Sequence, residues 1–253
     1  LTTIRIIGPG RAGLSLVAAL ERAGAQVPDV LGRADNLAKA AYGADVIIIA
    51  TPDREIETVA ESIEPVEGTA VLHLSGSLGL DVLSRHPRRG SMHPLVTLPD
   101  LVIGADRLAG GAWFAVAGDA AASEVVHLLG GHPFSVPEHA RVLYHAAASV
   151  AANHLVGLLA EVERIAAAAG IPFEAFLPLA AGALDDVRLL GTAAALTGPV
   201  ARGDEAVVAA HRAALDPEEL AGYDAGVELT RRLAAARSAR LGAAEAARTA
   251  AWS

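Results

Sequence analysis

Gly8-Pro9-Gly10-Arg11-Ala12-Gly13 constrains this chain more than any other segment. It follows an apolar strand pattern at residues 4–7 and opens a helical pattern from Leu14 to about Ala23. In a strand–loop–helix unit each glycine has a separate task. Gly8 makes the tight turn, Gly10 lets the backbone approach a pyrophosphate, and Gly13 lets the helix close on the sheet. The helix start adds unpaired N–H groups and the positive end of its dipole. A tight turn in a domain without a ligand would use the same glycines.

The rest of the first half repeats the unit. Strand patterns fall at residues 27–31, 45–50, 70–74, 90–93, 113–116 and 133–136. Helical patterns fall at 37–41, from Pro52 to about Ile63, and at 120–129. Asp45-Val46-Ile47-Ile48-Ile49-Ala50 has no polar alternation, as expected of a strand covered on both faces. This alternation predicts an α/β domain over residues 1–136, a Rossmann-type, doubly wound parallel sheet. From Glu138 onward no strand pattern remains. Residues 141–169 read as one long helix with room for a kink, followed by helical stretches at 173–190, 206–215 and 217–239 and an Ala-rich tail read as a frayed helix. An all-helical second domain over residues 137–253 is expected.

Composition narrows the function classes. Asp and Glu number 29 against 20 Lys and Arg, a net charge of −9, which is the wrong sign for a non-specific nucleic-acid binder. There are no cysteines, so disulfides, thiolate catalysis and cysteine-held metals are excluded. No His/Glu spacing of a metal site, nucleophile elbow or Walker loop is present. Apolar runs break at about six to ten residues or carry Arg, Glu or His, short of a membrane span. The chain enters its first strand without a basic-then-apolar leader. No membrane association and a cytoplasmic location are expected.

Twenty positions past Gly13 stands Arg33. NAD sites place an acidic residue near this point, whereas an arginine suits the 2′-phosphate of NADP. Arg33 and Arg11 therefore point to NADP, and Asp35 keeps NAD open as the alternative. Ligands of open α/β sheets lie beyond the carboxyl ends of the strands. Thr51 and Pro52 are assigned to the adenosine–pyrophosphate side, and Ser75 and Gly76 to the nicotinamide side. Asp53 reads as a residue of a helix N-terminus, and His73 as a packed strand residue.

His93 ends the fifth strand in Ser91-Met92-His93-Pro94-Leu95, where a histidine can orient a substrate or give a proton. His145, Ser149 and Asn153 stand at i, i+4 and i+8 in an Ala-rich helix, a polar stripe on one face. His145 can donate a proton and Asn153 can hold a carbonyl or carboxylate. They can equally satisfy core groups. In Leu196-Thr197-Gly198-Pro199-Val200-Ala201-Arg202-Gly203-Asp204, Arg202 can take a substrate carboxylate or pair with Asp204. Asp204 reads as a helix N-cap.

The glycine loop, Gly90-Ser91-Met92-His93-Pro94-Leu95, Tyr144-His145-Ala146-Ala147 with Asn153, and the 196–204 segment together resemble a bacterial family. These are Rossmann-like proteins carrying a C-terminal domain of unknown function, number 2520, and the likeness spans residues 3–238. The family is more distantly similar to pyrroline-5-carboxylate reductase, ketopantoate reductase and the β-hydroxyacid dehydrogenases. The resemblance implies a homodimer formed through the helical domain and makes ketopantoate reduction a candidate reaction. The last two relatives place a lysine four residues before the asparagine. Here that position is Ser149, so His93 or His145 inherits the proton donor's role.

The expectation is an NADP-dependent reductase of a small anionic keto acid or imine, acting in a cleft between the domains. His93, His145, Asn153 and Arg202 would do the chemistry, on a cofactor held by the glycine loop, Arg33, Thr51, Pro52, Ser75 and Gly76. The alternative is a nucleotide-binding or regulatory protein without turnover.

Overall fold

A computed structural model describes residues 2–250. The end of the Ala-rich tail, residues 251–253, lies outside the described residues. By its internal contacts the chain divides into two compact units, Leu1–Ala152 and Asn153–Ser253.

The first unit is built on one seven-stranded sheet. Its strands are β1 (Ile4–Ile7), β2 (Val30–Leu31), β3 (Val46–Ile49), β4 (Ala70–His73), β5 (Arg88–Pro94), β6 (Trp113–Gly118) and β7 (His132–Ser135). They lie in the order β2-β1-β3-β4-β5-β6-β7. The chain leaves β1 to one side for β2 and returns to the other side for β3, so the order reverses beside the glycine loop. That reversal opens a crevice at the carboxyl ends of β1 and β3.

Side-chain alternation explains why both faces are covered. Ile4, Ile6, Val46, Ile48, Ala70 and Leu72 point to one face and bury against Leu16, Leu20 and Leu108. Ile7, Ile47, Ile49 and Val71 point to the other and bury with Ile56, Ala60 and Leu83. Successive residues serve opposite faces, so β3 must be apolar throughout. The covering helices are α1 (Arg11–Arg22), α2 (Asp53–Ser62), α3 (Leu101–Ala109) and α4 (Ala121–Leu128).

Three local expectations need correction. The sheet is mixed, because β6 runs antiparallel to β5 with Pro94 opposite Phe114. The chain leaves β5, makes the short α3 against α1, and re-enters the sheet at the end it left. A parallel neighbour needs a crossover that carries the chain back to the opposite end. Second, α3 itself was not anticipated, although Asp100 caps it by accepting from the Ile103 N–H at 2.9 Å. Third, residues 38–43 form turns, not a helix. Ala40 N–H donates to Leu37 O and Tyr42 N–H to Lys39 O, and Gly43 ends the run at φ +73°. So few residues do not sustain a helix nucleus.

After β7 come α5 (Arg141–Ser149) and a π-helical turn, Val150–His154. Apolar runs are interrupted here as expected, yet by average composition one stretch is long and apolar enough for a membrane span. The continuous helical stretch Glu138–Ala168 has the length and composition of a span, and its apolar window is not buried in the chain. Residues 142–160 contain no Asp, Glu, Lys or Arg. Their interruptions are His, Ser, Asn and Tyr, which break an apolar run without making the average polar.

The second unit is helical throughout its described residues: α6 (Leu155–Ala168), α7 (Leu177–Leu190), α8 (Thr192–Ala195), α9 (Pro199–Arg202), α10 (Glu205–Ala214) and α11 (Leu220–Ala250). Asp204 caps α10 through the Val207 N–H at 3.2 Å, as expected. Arg164 grips Glu219 with two hydrogen bonds, at 2.5 and 2.8 Å, tying α6 to the start of α11.

Candidate functional site

The glycine loop is wedged between β1 and the end of β3. Gly8 has φ +116°, a conformation open to glycine, and its α-carbon faces the backbone of Ala50 and Thr51. Gly13 lies directly over the Gly8 carbonyl. Helix α1 begins without a capping side chain and without an acidic residue in its first turn. Its first i to i−4 bond is from Leu14 N–H to Gly10 O, which leaves the N–H groups of Arg11, Ala12 and Gly13 ahead of the ladder. Nothing stands within 4 Å of where a Cβ on Gly10 would be. An anionic group has donors and room here.

Beside the loop lies a cavity of about 170 Å³, lined among others by Pro9, Gly32, Arg33, Thr51, Pro52 and Glu55. The Thr51 Oγ1 is buried and has no hydrogen-bond partner among the described residues. Arg33 is 82% exposed and pairs with Glu55 at 2.6 Å. Asp35 accepts from the Gly32 N–H at 2.7 Å. The sequence-assigned residues Gly8, Pro9, Gly10, Arg33, Thr51 and Pro52 thus share one cavity, and Arg11, Ala12 and Gly13 form the helix start next to it.

The carboxyl ends of β4 and β5 carry a second cluster. Ser75 and Gly76 are buried. Asp53, in the first turn of α2, accepts from Ser75 Oγ at 2.7 Å and Ser77 Oγ at 2.9 Å and so holds the loop after β4. His73 is wholly buried, as expected of a packed residue. Its Nδ1 accepts from the Ser75 N–H at 3.1 Å, so its Nε2 carries the proton and donates to Gly79 O at 3.2 Å. Burial lowers its pKa to about 4, with the Arg141 charge adding in the same direction.

This sets a pH dependence. The unfolded chain binds a proton at His73 below pH 6.5 and the folded chain binds it only near pH 4. The contribution of neutral His73 is therefore complete above pH 6.5 and is lost as pH falls from 6.5 towards 4. It amounts to on the order of 3 kcal/mol. Urea unfolding at pH 7.5 and 4.5 measures it. His73→Asn keeps an acceptor for Ser75 and removes the titration, so the loss on acidification should shrink by about that amount. An unchanged loss would sink the assignment.

His93 and His145 do meet, as edge-packed rings with centroids 5.6 Å apart. Gly76 lies between them. A Cβ on Gly76 would come within 2.7 Å of His145 Nδ1 and 3.0 Å of the His93 ring. His145 Nδ1 is buried and has no hydrogen-bond partner among the described residues. His93 Nδ1 is 2.6 Å from the Tyr144 hydroxyl. Burial, seconded by His145, lowers the His93 pKa to about 4. Burial raises that of Tyr144 to about 12, against the pull of Arg141. Both groups are neutral near pH 7. Whichever of them donates, the other's proton, His93 Nε2–H or Tyr144 O–H, has no acceptor among the described residues.

Two members of this cluster escaped the sequence reading, Tyr144 and Arg141. Arg141 is 2% exposed and has no carboxylate partner among the described residues. Its Nη2 donates to Ser91 Oγ at 3.0 Å and Ser75 O at 3.3 Å, bridging β5 and the loop after β4. Its Nε is buried and has no hydrogen-bond partner among the described residues. The signal was there: Arg141, Tyr144 and His145 stand at i, i+3 and i+4, one face of α5. Counting forward from His145 along the polar stripe overlooked it.

Asn153 and Arg202 belong to the second unit. Asn153 is exposed and sits in the π-helical turn, where bonding runs i to i+5. The 3.6-residue period behind the stripe does not continue through that turn. Arg202 ends α9, is exposed, and makes no hydrogen bond or ion pair among the described residues. The expected alternative, a pair with Asp204, is not formed. No group of metal-ligating side chains occurs among the described residues.

Comparison with known proteins bears on the fold. The model of a protein family described as a domain of unknown function (DUF2520) matches residues 113–230. No curated protein matches the sequence. Among solved structures, a candidate NADP oxidoreductase from Bacteroides fragilis superposes with a TM-score of 0.76 at 21% identity, covering 91% of this chain and 98% of that one. A protein from Thermotoga maritima gives 0.71 at 23% identity, covering 93% and 99%. The pyrroline carboxylate reductase of Plasmodium falciparum, solved with NADP bound, gives 0.59 at 12% identity, covering 92% and 98%. The chain is a Rossmann-fold protein whose residues 113–230 match DUF2520 and whose fold is shared with NADP-binding oxidoreductases.

Proposed function

We propose that the protein is an NADPH-dependent reductase of a small keto acid or imine. The observation that carries this reading is one edge of one sheet. The glycine loop with its open helix start follows β1, and the His93–Tyr144–His145 cluster stands at the carboxyl ends of β4 and β5, on the same side of the same sheet with β3 between. The residues present fit the cofactor: the space over Gly10, the uncapped start of α1 and the unpartnered Thr51 Oγ1 all suit a dinucleotide. The fold shared with NADP-binding oxidoreductases supports the same choice.

When bound, the cofactor supplies the hydride. The helix start and Gly10 hold the pyrophosphate, and Arg33 takes the 2′-phosphate. Ser75 and Gly76 form the floor on the nicotinamide side. The free proton of the His93–Tyr144 pair hydrogen-bonds the substrate's oxygen or nitrogen and is given to it as negative charge develops there. His145 offers its unpartnered Nδ1 to the same group. Arg141 pins the loop after β4 to β5 and leaves a buried positive charge behind the site, which favours an anionic substrate.

Side-by-side calorimetric titration with NADPH and NADH, followed by NADPH oxidation with a panel of keto acids and imines, tests this. Ketopantoate comes first in the panel. Tighter NADPH binding and turnover of at least one substrate are expected, and Arg33→Ala should weaken NADPH more than NADH. Binding without turnover on the whole panel would favour the second reading, a nucleotide-binding regulator. Ser149 at the relatives' lysine position is the observation on its side.

We further propose a homodimer formed through the helical region. Val142, Leu143, Val156, Leu179 and Leu189 are each at least 66% exposed. The stretch Glu138–Ala168, which carries the first three of these, has the composition of a membrane span, but Arg141 and Tyr144 in its first turns bond to Ser91 and His93 of β5 and to Ser75 after β4. That attachment favours a second copy over lipid. Light scattering should give twice the chain mass, and a monomer would overturn the assignment.

A further inference from the structure

We infer that Glu55 sets the nucleotide selectivity of the cavity by competing with a 2′-phosphate for Arg33. This rests on the cofactor reading above. Two donors at the end of β2 are suited to such a phosphate, the Gly32 N–H and the Arg33 guanidinium. Each is already engaged by a carboxylate. Asp35 takes the Gly32 N–H at 2.7 Å, and Glu55 takes Arg33 at 2.6 Å.

The partners of the second pair are not equally free. Arg33 is on a loop and its side chain is 82% exposed, whereas that of Glu55 is 27% exposed. Glu55 projects from the first turn of α2 and lines the cavity together with Gly8, Gly10 and Gly32. The helix backbone fixes its position, and the positive end of the dipole favours its charge there. Arg54 Nε lies 3.9 Å from the same carboxylate oxygen, so Glu55 keeps a cation beside it when Arg33 turns away. A phosphate on Arg33 would lie well within a Debye length (about 8 Å) of the Glu55 carboxylate, and salt would not screen the repulsion fully.

The effect is selective. NADPH must draw Arg33 from Glu55 and tolerate the carboxylate. NADH brings only neutral ribose hydroxyls, which carry no charge for the carboxylate to repel. Arg33 creates a preference for NADPH and Glu55 holds that preference down. The arrangement is a negative charge kept beside the one cation that recognises the phosphate.

The test is calorimetry of Glu55→Gln with NADPH and NADH, repeated with adenosine 2′,5′-bisphosphate and adenosine 5′-monophosphate to isolate the phosphate. Glutamine keeps the shape of this partly buried side chain, and circular dichroism checks that the variant folds. NADPH and the bisphosphate should bind at least about five-fold tighter, with NADH and the monophosphate within about two-fold of the unaltered protein. Unchanged NADPH affinity in a folded variant would overturn the inference and leave the cofactor reading standing. Weaker NADPH binding would also overturn it, since Glu55 would then be orienting Arg33 for the phosphate. Binding of neither nucleotide by the unaltered protein would overturn both.

Discussion

Replacing Gly13 by alanine is expected to cost about 3 kcal/mol of stability and to abolish nucleotide binding. The new Cβ would lie 2.0 Å from the Gly8 carbonyl oxygen and 3.4 Å from the Ala50 Cβ. The obstacle is backbone and cannot rotate aside. Gly8 is itself hemmed in on its α-carbon side, where a Cβ would come within 2.8 Å of Ala50 C and O. Helix α1 must therefore lift from the sheet, taking the buried Leu16 and Leu20 with it. Gly10→Ala is the control. Gly10 has φ −82°, which alanine adopts freely, and nothing stands within 4 Å of the new methyl. Its stability should stay within about 0.5 kcal/mol, while the methyl enters the space assigned to the pyrophosphate and weakens binding. Urea unfolding and calorimetry on both variants separate packing from ligand contact. Equal stability of Gly13→Ala and the unaltered protein would show that the helix start can yield.

His93→Ala should lower kcat/KM by about 10² to 10³, and Tyr144→Phe by about tenfold or more, with NADPH affinity changed less than about two-fold in each. The argument is the place of the His93–Tyr144 pair at the carboxyl end of β5, with one proton that has no acceptor among the described residues. With His93 near pH 4 and Tyr144 near 12, neither changes charge between pH 5 and 8. The profile of kcat/KM should then show no break near 6.5 that belongs to His93. A break there that disappears in His93→Ala would mean the ring is charged in the working protein, against its burial. Loss of NADPH binding in either variant would place the pair in the cofactor site instead.

Much of the first unit was legible because its signals are local. The β-branched run at residues 46–49 must be covered on both faces whatever surrounds it. Gly8, Gly10 and Gly13 follow from the geometry of one turn, and that turn stands where the spacing placed it. Asp204 caps its helix because an N-cap needs only its own next three residues.

Other features were decided by tertiary structure. The direction of β6 depends on which end of the sheet the 95–112 segment returns to, and no pattern within the strand records that. Arg141 shows its spacing in sequence but not its role, since Ser75 and Ser91 lie 66 and 50 residues away. His93 and His145 were each named as candidates. That they meet, with Gly76 between them and the Tyr144 hydroxyl on His93 Nδ1, follows from packing α5 against two strand ends. Strand faces and the glycine turn are properties of neighbouring residues and are legible in the sequence alone. The tertiary structure alone decided which polar groups lost their water together, because burial is a property of the assembled surfaces.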